Sequence, residues 1–443
     1  MTITHRSIAP TAVHETLGKH MLVDGFDLVI DLEKSKGSRL YDSRYNRELL
    51  DMFSFFASNP LGMNHPALSD GAFLTKLTRA AVHKPSNSDI YTVEMAEFVD
   101  TFSEVALPKH LNYLFFVEGG GLAVENALKA AFDWKIRKNL SAGLTGEVGT
   151  KVMHFKEAFH GRTGYTLSLT NTEPVKIKYF PKFNWPRIEN PKVIFPLEGD
   201  NLASVKAAEE RALAQIKAEF EKSSGDIAAI IIEPIQGEGG DNHFRPEFMQ
   251  ALRKAATDND AMLIFDEIQT GLGLTGKMWC FEHFGMEPDM VCFGKKSQVC
   301  GFACSKKIDE VPENVFKVPS RINSTWGGNL ADMVRCQKFL EVIDEENLVD
   351  NAAKMGDKLL KGLKDIQGRS SGKVLSARGR GLMCAFNMES AELRDKLFGK
   401  AYANGLIILK TGPSGIRFRP ALNVTTADID DALTKVEASI KHL

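Results

Sequence analysis

Short, continuously apolar runs alternate with longer amphipathic stretches through the middle of the chain. Four of these runs have the length of buried strands, namely residues 113–117 (YLFFV), 227–232 (IAAIII), 261–265 (AMLIF) and 290–293 (MVCF). Three intervening stretches carry apolar side chains at helical spacing, at residues 122–137, 202–222 and 246–257. Strands that are apolar on both faces need helices on both faces, so the pattern predicts an α/β fold built on a parallel sheet.

The pattern changes in the last quarter of the chain. Long helices are predicted at residues 329–343 and 348–366, and a mixed segment then precedes a last helix from Thr426. This arrangement is typical of a smaller α+β domain. Earlier in the chain, five prolines between Pro174 and Pro196 indicate a long irregular loop. Loops of this kind often border a site.

Composition and charge narrow the class of protein. Of the 443 residues, 43% are hydrophobic and 25% are charged, as in folded globular proteins. The 55 basic and 57 acidic residues leave a net charge of −2, which gives no general attraction to nucleic acid or membrane surfaces. No apolar run approaches the ~18 residues of a membrane span, and residues 1–20 lack an apolar signal segment.

The six cysteines all lie in the second half of the chain. They form no C-x-x-C pair and lack the companion ligands that a zinc site needs. Scattered thiols of this kind suit a reducing compartment. We therefore expect a cytoplasmic protein with no metal, no nucleic-acid partner and no membrane association.

Two glycine-rich segments compete as phosphate-binding loops. Residues 271–276 (GLGLTG) spell G-x-G-x-x-G, but five residues separate them from the preceding predicted strand. In a dinucleotide site the first glycine follows the strand almost directly, so this motif is excluded. Residues 119–121 (GGG) lie between a predicted strand and a predicted helix, where free N–H groups and the helix dipole favour an anion. A plain tight turn would have the same sequence, so this motif alone leaves both interpretations open.

A carboxylate and a lysine follow two neighbouring predicted strands. Asp266 comes directly after residues 261–265, and Lys295 follows residues 290–293 after one glycine. Open α/β sheets build their sites at these strand ends. A carboxylate that holds a protonated ring nitrogen and a lysine that forms an imine are the protein's main contributions to pyridoxal phosphate chemistry. A strand-end aspartate and a solvated lysine are also common, so neither residue decides alone.

Together with other motifs, these residues resemble the class III aminotransferases, which have the fold-type-I architecture. The motifs occur in the family's order at residues 118–129, 159–162 (FHGR), 233–240 (EPIQGEGG), 264–271 (IFDEIQTG), 293–295 (FGK) and 324–329 (STWGGN). The resemblance spans nearly the whole chain. It implies a large domain with a mostly parallel seven-stranded sheet, and a small α+β domain from both termini. The implied segments are 1–60 (small domain), 61–328 (large domain) and 329–443 (small domain).

Within the family, the chain resembles most the enzymes that act on the ε-amino group of lysine. The stretches responsible include residues 83–89 (HKPSNSD), 129–134 (KAAFDW) and 294–301 (GKKSQVCG). The resemblance implies ping-pong transfer of that group from L-lysine to 2-oxoglutarate, giving L-glutamate and 2-aminoadipate 6-semialdehyde, which cyclises. Enzymes for ornithine or 4-aminobutyrate are the alternative, although they commonly have a glycine-rich stretch where this chain has residues 297–300 (SQVC).

The resemblance assigns the catalytic residues of a pyridoxal 5′-phosphate enzyme. Lys295 matches the Schiff-base lysine, with Lys296 as the competing candidate. Asp266 matches the carboxylate on the ring nitrogen. Gln269 matches the residue that reaches the cofactor's phenolic oxygen and the substrate region.

Four further residues match positions that hold the cofactor. Gly120 and Gly121 match the phosphate loop, and Phe159 matches the aromatic that stacks on the ring. Thr325 matches a hydroxyl that the neighbouring subunit gives to the phosphate. This last match implies a homodimer with shared active sites.

The same resemblance implies a carboxylate-binding apparatus. Arg417 matches the arginine for the α-carboxylate of 2-oxoglutarate and glutamate, with Arg419 as a second candidate. Arg162 matches the arginine for the distal carboxylate, which for lysine is its own α-carboxylate. Glu238 matches a switch residue that pairs with Arg417 until glutamate displaces it. Without the motifs, ordinary surface ion pairs would be the default interpretation.

Overall fold

The computed structural model describes residues 7–441 and 443. Residues 1–6, which belong to the predicted segment 1–60, and residue 442 lie outside the described residues. The strands in chain order are β1 Ile30–Lys36, β2 Arg39–Asp42, β3 Arg47–Asp51, β4 Leu111–Val117, β5 Lys151–Phe155, β6 Arg187–Ile188, β7 Ile227–Ile232, β8 Ile235–Gln236, β9 Asn242–His243, β10 Met262–Asp266, β11 Met290–Phe293, β12 Cys300–Ser305, β13 Val374–Arg380, β14 Met383–Met388, β15 Leu406–Ile407, β16 Leu409–Thr411 and β17 Gly415–Phe418.

The helices connect these strands in the alternation that the sequence predicts. In chain order they are α1 Val13–Gly18, α2 Ser54–Ala57, α3 Gly71–His83, α4 Val93–Val105, α5 Gly120–Ser141, α6 Gly164–Leu169, α7 Pro174–Ile177, α8 Gly199–Ser223, α9 Pro246–Asp258, α10 Leu330–Glu345, α11 Leu348–Arg369, α12 Ala391–Ala403 and α13 Thr426–Lys441. No helix in the described part of the chain is long and apolar enough to cross a membrane.

A seven-stranded sheet forms the centre of the molecule, in the order β4-β12-β11-β10-β7-β5-β6. The pairs among β11, β10, β7, β5 and β6 are parallel, whereas β12 runs antiparallel to both of its neighbours. The four predicted apolar strands are all present in this sheet. β7 and β11 have the predicted bounds, whereas β4 begins two residues earlier, at Leu111. β10 is shifted by one residue at each end and finishes at Asp266 itself, which fixes that side chain at the strand end.

Alternate residues of the central strands face two separate hydrophobic clusters, as the two-residue period of a strand requires. In β7, Ala229 and Ile231 face the cluster that contains Trp134 of α5. Ile230 and Ile232 face the other cluster, which contains Phe248 of α9. Both faces of the sheet are therefore covered by helices, and its strand ends are held by a packed core.

Two four-stranded sheets lie outside the central one. The first has the order β1-β2-β3-β15, and its last pair joins Leu50 near the N-terminus in parallel register to Leu406 near the C-terminus. The second is antiparallel, with the order β13-β14-β17-β16, and packs against α11 and α12. Segments from both ends of the chain thus share a sheet, while the proposed boundaries at residues 60 and 328 stay predictions.

Candidate active site

A cavity of ≈ 290 Å³ lies at the carboxyl ends of β10 and β11, beside the first turn of α5. It brings together most of the residues that the sequence singles out, although they are far apart in the chain. Those lining it are Gly120, Gly121, Phe159, Glu238, Asp266, Gln269 and Lys295. Residues that sequence reasoning did not assign also line it, namely His160, Gly161, Glu233, Ile268 and Cys300.

Asp266 is fixed by hydrogen bonds to both of its carboxylate oxygens. His160 Nδ1 lies 2.8 Å from Oδ2, and the Ile268 backbone N–H donates to Oδ1 at 3.1 Å. Both side chains are buried. Sequence reasoning missed His160 as a partner of Asp266, although it lies inside the FHGR motif. The carboxylate is therefore held in one orientation and shielded from water. Both conditions strengthen a hydrogen bond to a protonated ring nitrogen.

Lys295 follows β11 after Gly294 and lines the cavity with a positive φ of 50°. Burial, together with the positive charges of Arg417 and Arg419 and against the opposing charges of Glu238 and Glu233, lowers its pKa to about 8. A lowered pKa leaves more of the amine neutral near physiological pH, which is the nucleophilic form.

Lys296, the competing candidate, does not line this cavity. It is buried, with its Nζ 3.5 Å from the carbonyl oxygen of Gln269. Burial lowers its pKa well below the ordinary lysine value. Lys295 thus lines the cavity, whereas Lys296 is buried outside the cavity lining.

The glycines at the start of α5 let the helix backbone pack closely against its neighbours at the edge of the cavity. Gly119, with a φ of 106°, precedes the helix and provides no side-chain cap, so the first N–H groups of this 22-residue helix have no capping side chain. A Cβ at Gly120 would lie 3.2 Å from Ile268, and one at Gly121 would lie 3.2 Å from Thr163. Uncapped N–H groups at a helix N-terminus suit an anion, as the predicted phosphate loop requires.

The competing glycine motif has a packing role instead. Residues 271–276 form turns and open no helix. A Cβ at Gly271 would lie 2.7 Å from the Trp279 ring, and one at Gly276 would lie 2.9 Å from Cβ of Ala353. These glycines are required for close packing, and the exclusion of a dinucleotide site is consistent with the fold.

Glu238 lies between two cations. Its Oε2 is 2.6 Å from Nη2 of Arg417, and its Oε1 is 2.9 Å from Nζ of Lys176. Burial alone would raise the pKa of Glu238, but Arg417 and Lys176 lower it to about 2. Arg417, on β17, is 2% exposed, and its Nε and Nη1 have no partner in the described part of the chain. An arginine with two buried, unpartnered N–H groups can still receive a second carboxylate.

Arg419, the second candidate for this role, is already fully engaged. Its Nη2 lies 2.6 Å from Oδ1 of Asp241, and its Nε donates to Oε1 of Gln269 at 3.0 Å. These contacts hold the Gln269 side chain at the cavity wall. The geometry therefore favours Arg417 as the arginine that binds substrate.

Glu233 connects the two loops that border the cavity. Its carboxylate accepts hydrogen bonds from the backbone N–H of Phe159 at 2.8 Å and of Gly237 at 3.0 Å. Burial raises its pKa to about 7. Sequence reasoning gave Glu233 no role, although it begins the EPIQGEGG motif.

Besides Arg417, two further predicted residues do not line the cavity. Arg162 is exposed, with its guanidinium carbon 5.9 Å from the centroid of the Phe159 ring. Thr325 is exposed as well, and its carbonyl accepts a hydrogen bond from the Ser86 hydroxyl. A role for Thr325 in the neighbouring subunit's site stays a prediction.

The residues present fit pyridoxal phosphate. The glycine segment provides an anion cradle, Asp266 provides a buried carboxylate, and Lys295 provides an amine with a lowered pKa on the same cavity. Phe159 adds an aromatic side chain to the cavity wall. Phosphate, ring nitrogen and aldehyde thus each have a matching group.

Comparison with known proteins agrees with this geometry. The family model for class III aminotransferases matches residues 23–440. L-lysine-epsilon aminotransferases from Mycobacterium tuberculosis and Streptomyces clavuligerus are 51% and 48% identical, over 99% and 97% of this chain and 98% and 94% of theirs. A solved lysine aminotransferase from M. tuberculosis, in its internal aldimine form, covers 98% of this chain and 100% of its own with a TM-score of 0.96 and 51% identity. The predicted fold class is confirmed, and the chain belongs to the class III aminotransferases, a family of pyridoxal-phosphate-dependent enzymes.

Proposed function

We propose that this aminotransferase is an L-lysine 6-transaminase, with 2-oxoglutarate as the amino acceptor. The observation that carries the proposal is the pairing of Glu238, which lines the cavity, with the buried Arg417. A site that covers this arginine suits an amine whose reacting carbon carries no carboxylate, such as the ε-carbon of lysine. The full-length similarity to lysine aminotransferases supports the same conclusion.

The cofactor would be held by Lys295, Asp266, Phe159, Gly120 and Gly121. Bound pyridoxal phosphate supplies an electron-accepting ring that stabilises negative charge on the reacting carbon. Asp266, oriented by His160 and the Ile268 N–H, would keep the proton on the ring nitrogen. The Lys295 amine would hold the cofactor covalently and, when free, would carry a proton to and from the reacting carbon.

The two substrates use the carboxylate-binding groups differently. In the lysine half-reaction, Glu238 covers Arg417, and Arg162 binds the distal carboxylate, which is lysine's own α-carboxylate. In the second half-reaction, the α-carboxylate of 2-oxoglutarate displaces Glu238 from Arg417, and Gln269 borders the bound substrate. One site thus serves both halves in turn, which predicts ping-pong kinetics. The products are L-glutamate and 2-aminoadipate 6-semialdehyde, which cyclises.

The working enzyme is a homodimer in this proposal, because Thr325 is exposed here and would complete the phosphate site of the neighbouring subunit. The six cysteines are free thiols, five of them buried, which supports a cytoplasmic location.

A substrate panel tests the proposal. Purified holoenzyme is supplied with 2-oxoglutarate and with L-lysine, L-ornithine or 4-aminobutyrate, and glutamate formation is followed. We expect the highest kcat/KM with L-lysine, together with the cyclised product of the semialdehyde. A higher kcat/KM with ornithine or 4-aminobutyrate would contradict it and assign the other specificity.

A further inference from the structure

Glu238 is shared between two cations, one on each oxygen. Arg417 contacts Oε2 from β17, and Lys176 contacts Oε1 from the short helix α7. The proposed mechanism uses the first contact and leaves the second without a role. Lys176 is only 10% exposed, so this ion pair is better shielded from water than an ordinary surface pair.

Lys176 also lies next to Phe159, whose side chain lines the cavity. Its Nζ is 5.3 Å from the centroid of the Phe159 ring, the same ring that Arg162 approaches to 5.9 Å. A second carboxylate, Glu173, pairs with Lys176 at 3.0 Å but is half exposed. With two carboxylates of the chain already on its ammonium group, Lys176 is less available to bind a substrate carboxylate directly.

The displacement of Glu238 raises an electrostatic problem. When an α-carboxylate takes Arg417, Glu238 loses its strongest partner while it is still only 27% exposed. A partly buried carboxylate without a cation is costly, because it has lost water and gained no compensating charge. Lys176 is already bonded to the other oxygen, so Glu238 can rotate about that contact and remain paired.

We infer that Lys176 is a positioning residue of the substrate switch: it receives Glu238 when the α-carboxylate of 2-oxoglutarate or glutamate occupies Arg417. This inference rests on the proposed function, since it assumes that the two half-reactions use Arg417 differently. With Arg417 covered, Lys176 is one of two cations that contact Glu238 among the described residues; with Arg417 occupied by substrate, it is the one that remains. Its loss therefore penalises the 2-oxoglutarate half-reaction selectively.

Single-turnover kinetics of the two half-reactions test the inference. The aldehyde form of the holoenzyme is mixed with L-lysine, and the amine form with 2-oxoglutarate, each followed by cofactor absorbance. For Lys176→Gln we expect the second-order constant for 2-oxoglutarate to fall about tenfold, the size of one charge-assisted contact, and that for lysine to change less than about twofold. Lys176→Arg should restore most of the 2-oxoglutarate rate, because it keeps the charge.

Two further variants separate this role from a structural one. Lys178→Gln removes an exposed lysine from the same segment and should leave both constants unchanged. In a Glu238→Gln background, Lys176→Gln should have no further effect on 2-oxoglutarate, since no carboxylate remains to be received. Equal losses in both half-reactions, or a loss that persists in the Glu238→Gln background, would overturn the inference.

Failure of the proposed function would look different. If the wild-type enzyme reacts poorly with L-lysine in single turnover, the lysine assignment is wrong, and this is known before any variant is compared. Wild-type enzyme that reacts well with both substrates, together with an unchanged ratio in Lys176→Gln, overturns the role of Lys176 alone.

Discussion

The two ends of the cavity are built from different kinds of structure. At the cofactor end, Asp266 terminates β10 and Lys295 follows β11, and the two strands are paired in register up to Asp266 and Cys292. At the substrate end, Glu238 lies between β8 and β9 and Lys176 lies in the proline-rich segment. Strand ends hold side chains at fixed positions, whereas loop side chains can exchange partners. We therefore expect the cofactor end to be the fixed part, which both half-reactions need, and the substrate end to be the movable part, which distinguishes them.

Hydrogen bonding follows the same division. Both oxygens of Asp266 have partners within the chain, which fix the carboxylate before any substrate arrives. Arg417, in contrast, keeps Nε and Nη1 unpartnered within the described residues, and its one ionic contact is to a side chain that also contacts Lys176. A preformed site for the cofactor is thus joined to an incompletely paired site for a second carboxylate.

The largest effect should come from the fixed end. Lys295→Ala removes the amine that holds the cofactor and carries the proton, so we expect turnover to fall by on the order of 10³-fold or more in both half-reactions. Loss of the bound cofactor's absorbance band and of borohydride-dependent labelling would accompany it. Peptide mapping of the wild-type protein after reduction provides the control, since a label on Lys296 would reverse the assignment.

Asp266→Asn should produce the next largest loss. A neutral amide cannot hold the ring-nitrogen proton, and loss of one such preorganised electrostatic group costs roughly 10²–10³-fold in rate. Because Lys295 is untouched, covalent attachment should persist, and the fall should be equal for lysine and for 2-oxoglutarate. Single-turnover rates check this, and an unequal fall would show that the cofactor end also takes part in substrate choice.

Arg417→Ala should affect one half-reaction far more than the other. Loss of a charge-assisted pair costs ~2–5 kcal/mol, which is roughly thirtyfold or more in the reaction with 2-oxoglutarate. The reaction with lysine should change much less, because Glu238 covers Arg417 in that half. Equal losses in the two half-reactions would reduce Arg417 and Glu238 to a structural ion pair and remove the distinction between the two ends.

The sequence predicts the fixed end better than the movable end, for a physical reason. Asp266 and Lys295 follow apolar runs whose length marks a buried strand, so their place at the sheet edge is readable locally. β12 (CGFACS) was not predicted, because glycine and serine interrupt its apolar pattern.

Arg417 and Arg419 are two residues apart at the end of β17, so periodicity places both on one face. Only their partners, Glu238 for one and Asp241 with Gln269 for the other, separate them.

Lys176 shows the limit of sequence reasoning at the movable end. It lies 62 residues before Glu238, in a proline-rich segment without apolar periodicity, and no local pattern connects the two. The folded chain brings Lys176 of α7 next to both Glu238 and the Phe159 ring. His160 is an intermediate case, since the motif that contains it was recognised but its bond to Asp266 was not.

The smallest predicted effect tests whether charges at the substrate end of the cavity shift the pKa of Lys295 at the cofactor end. Burial, then Arg417 and Arg419, lower the pKa of Lys295 to about 8 from 10.5. Only the neutral amine attacks an aldehyde, so capture of pyridoxal phosphate by cofactor-free protein should rise about tenfold per pH unit below 8 and level off above it. Arg417→Ala removes a positive charge that disfavours protonated Lys295, so the pKa and the midpoint should move upward, while Lys178→Gln leaves them in place. Stopped-flow absorbance measures the midpoints of the wild-type protein and of Arg417→Ala. The range of pH 6 to pH 10 covers about two units on either side of the wild-type pKa. A wild-type rate still rising at the alkaline limit, or a midpoint that Arg417→Ala does not move, would mean that the cofactor end works without any influence from the charges that select the substrate.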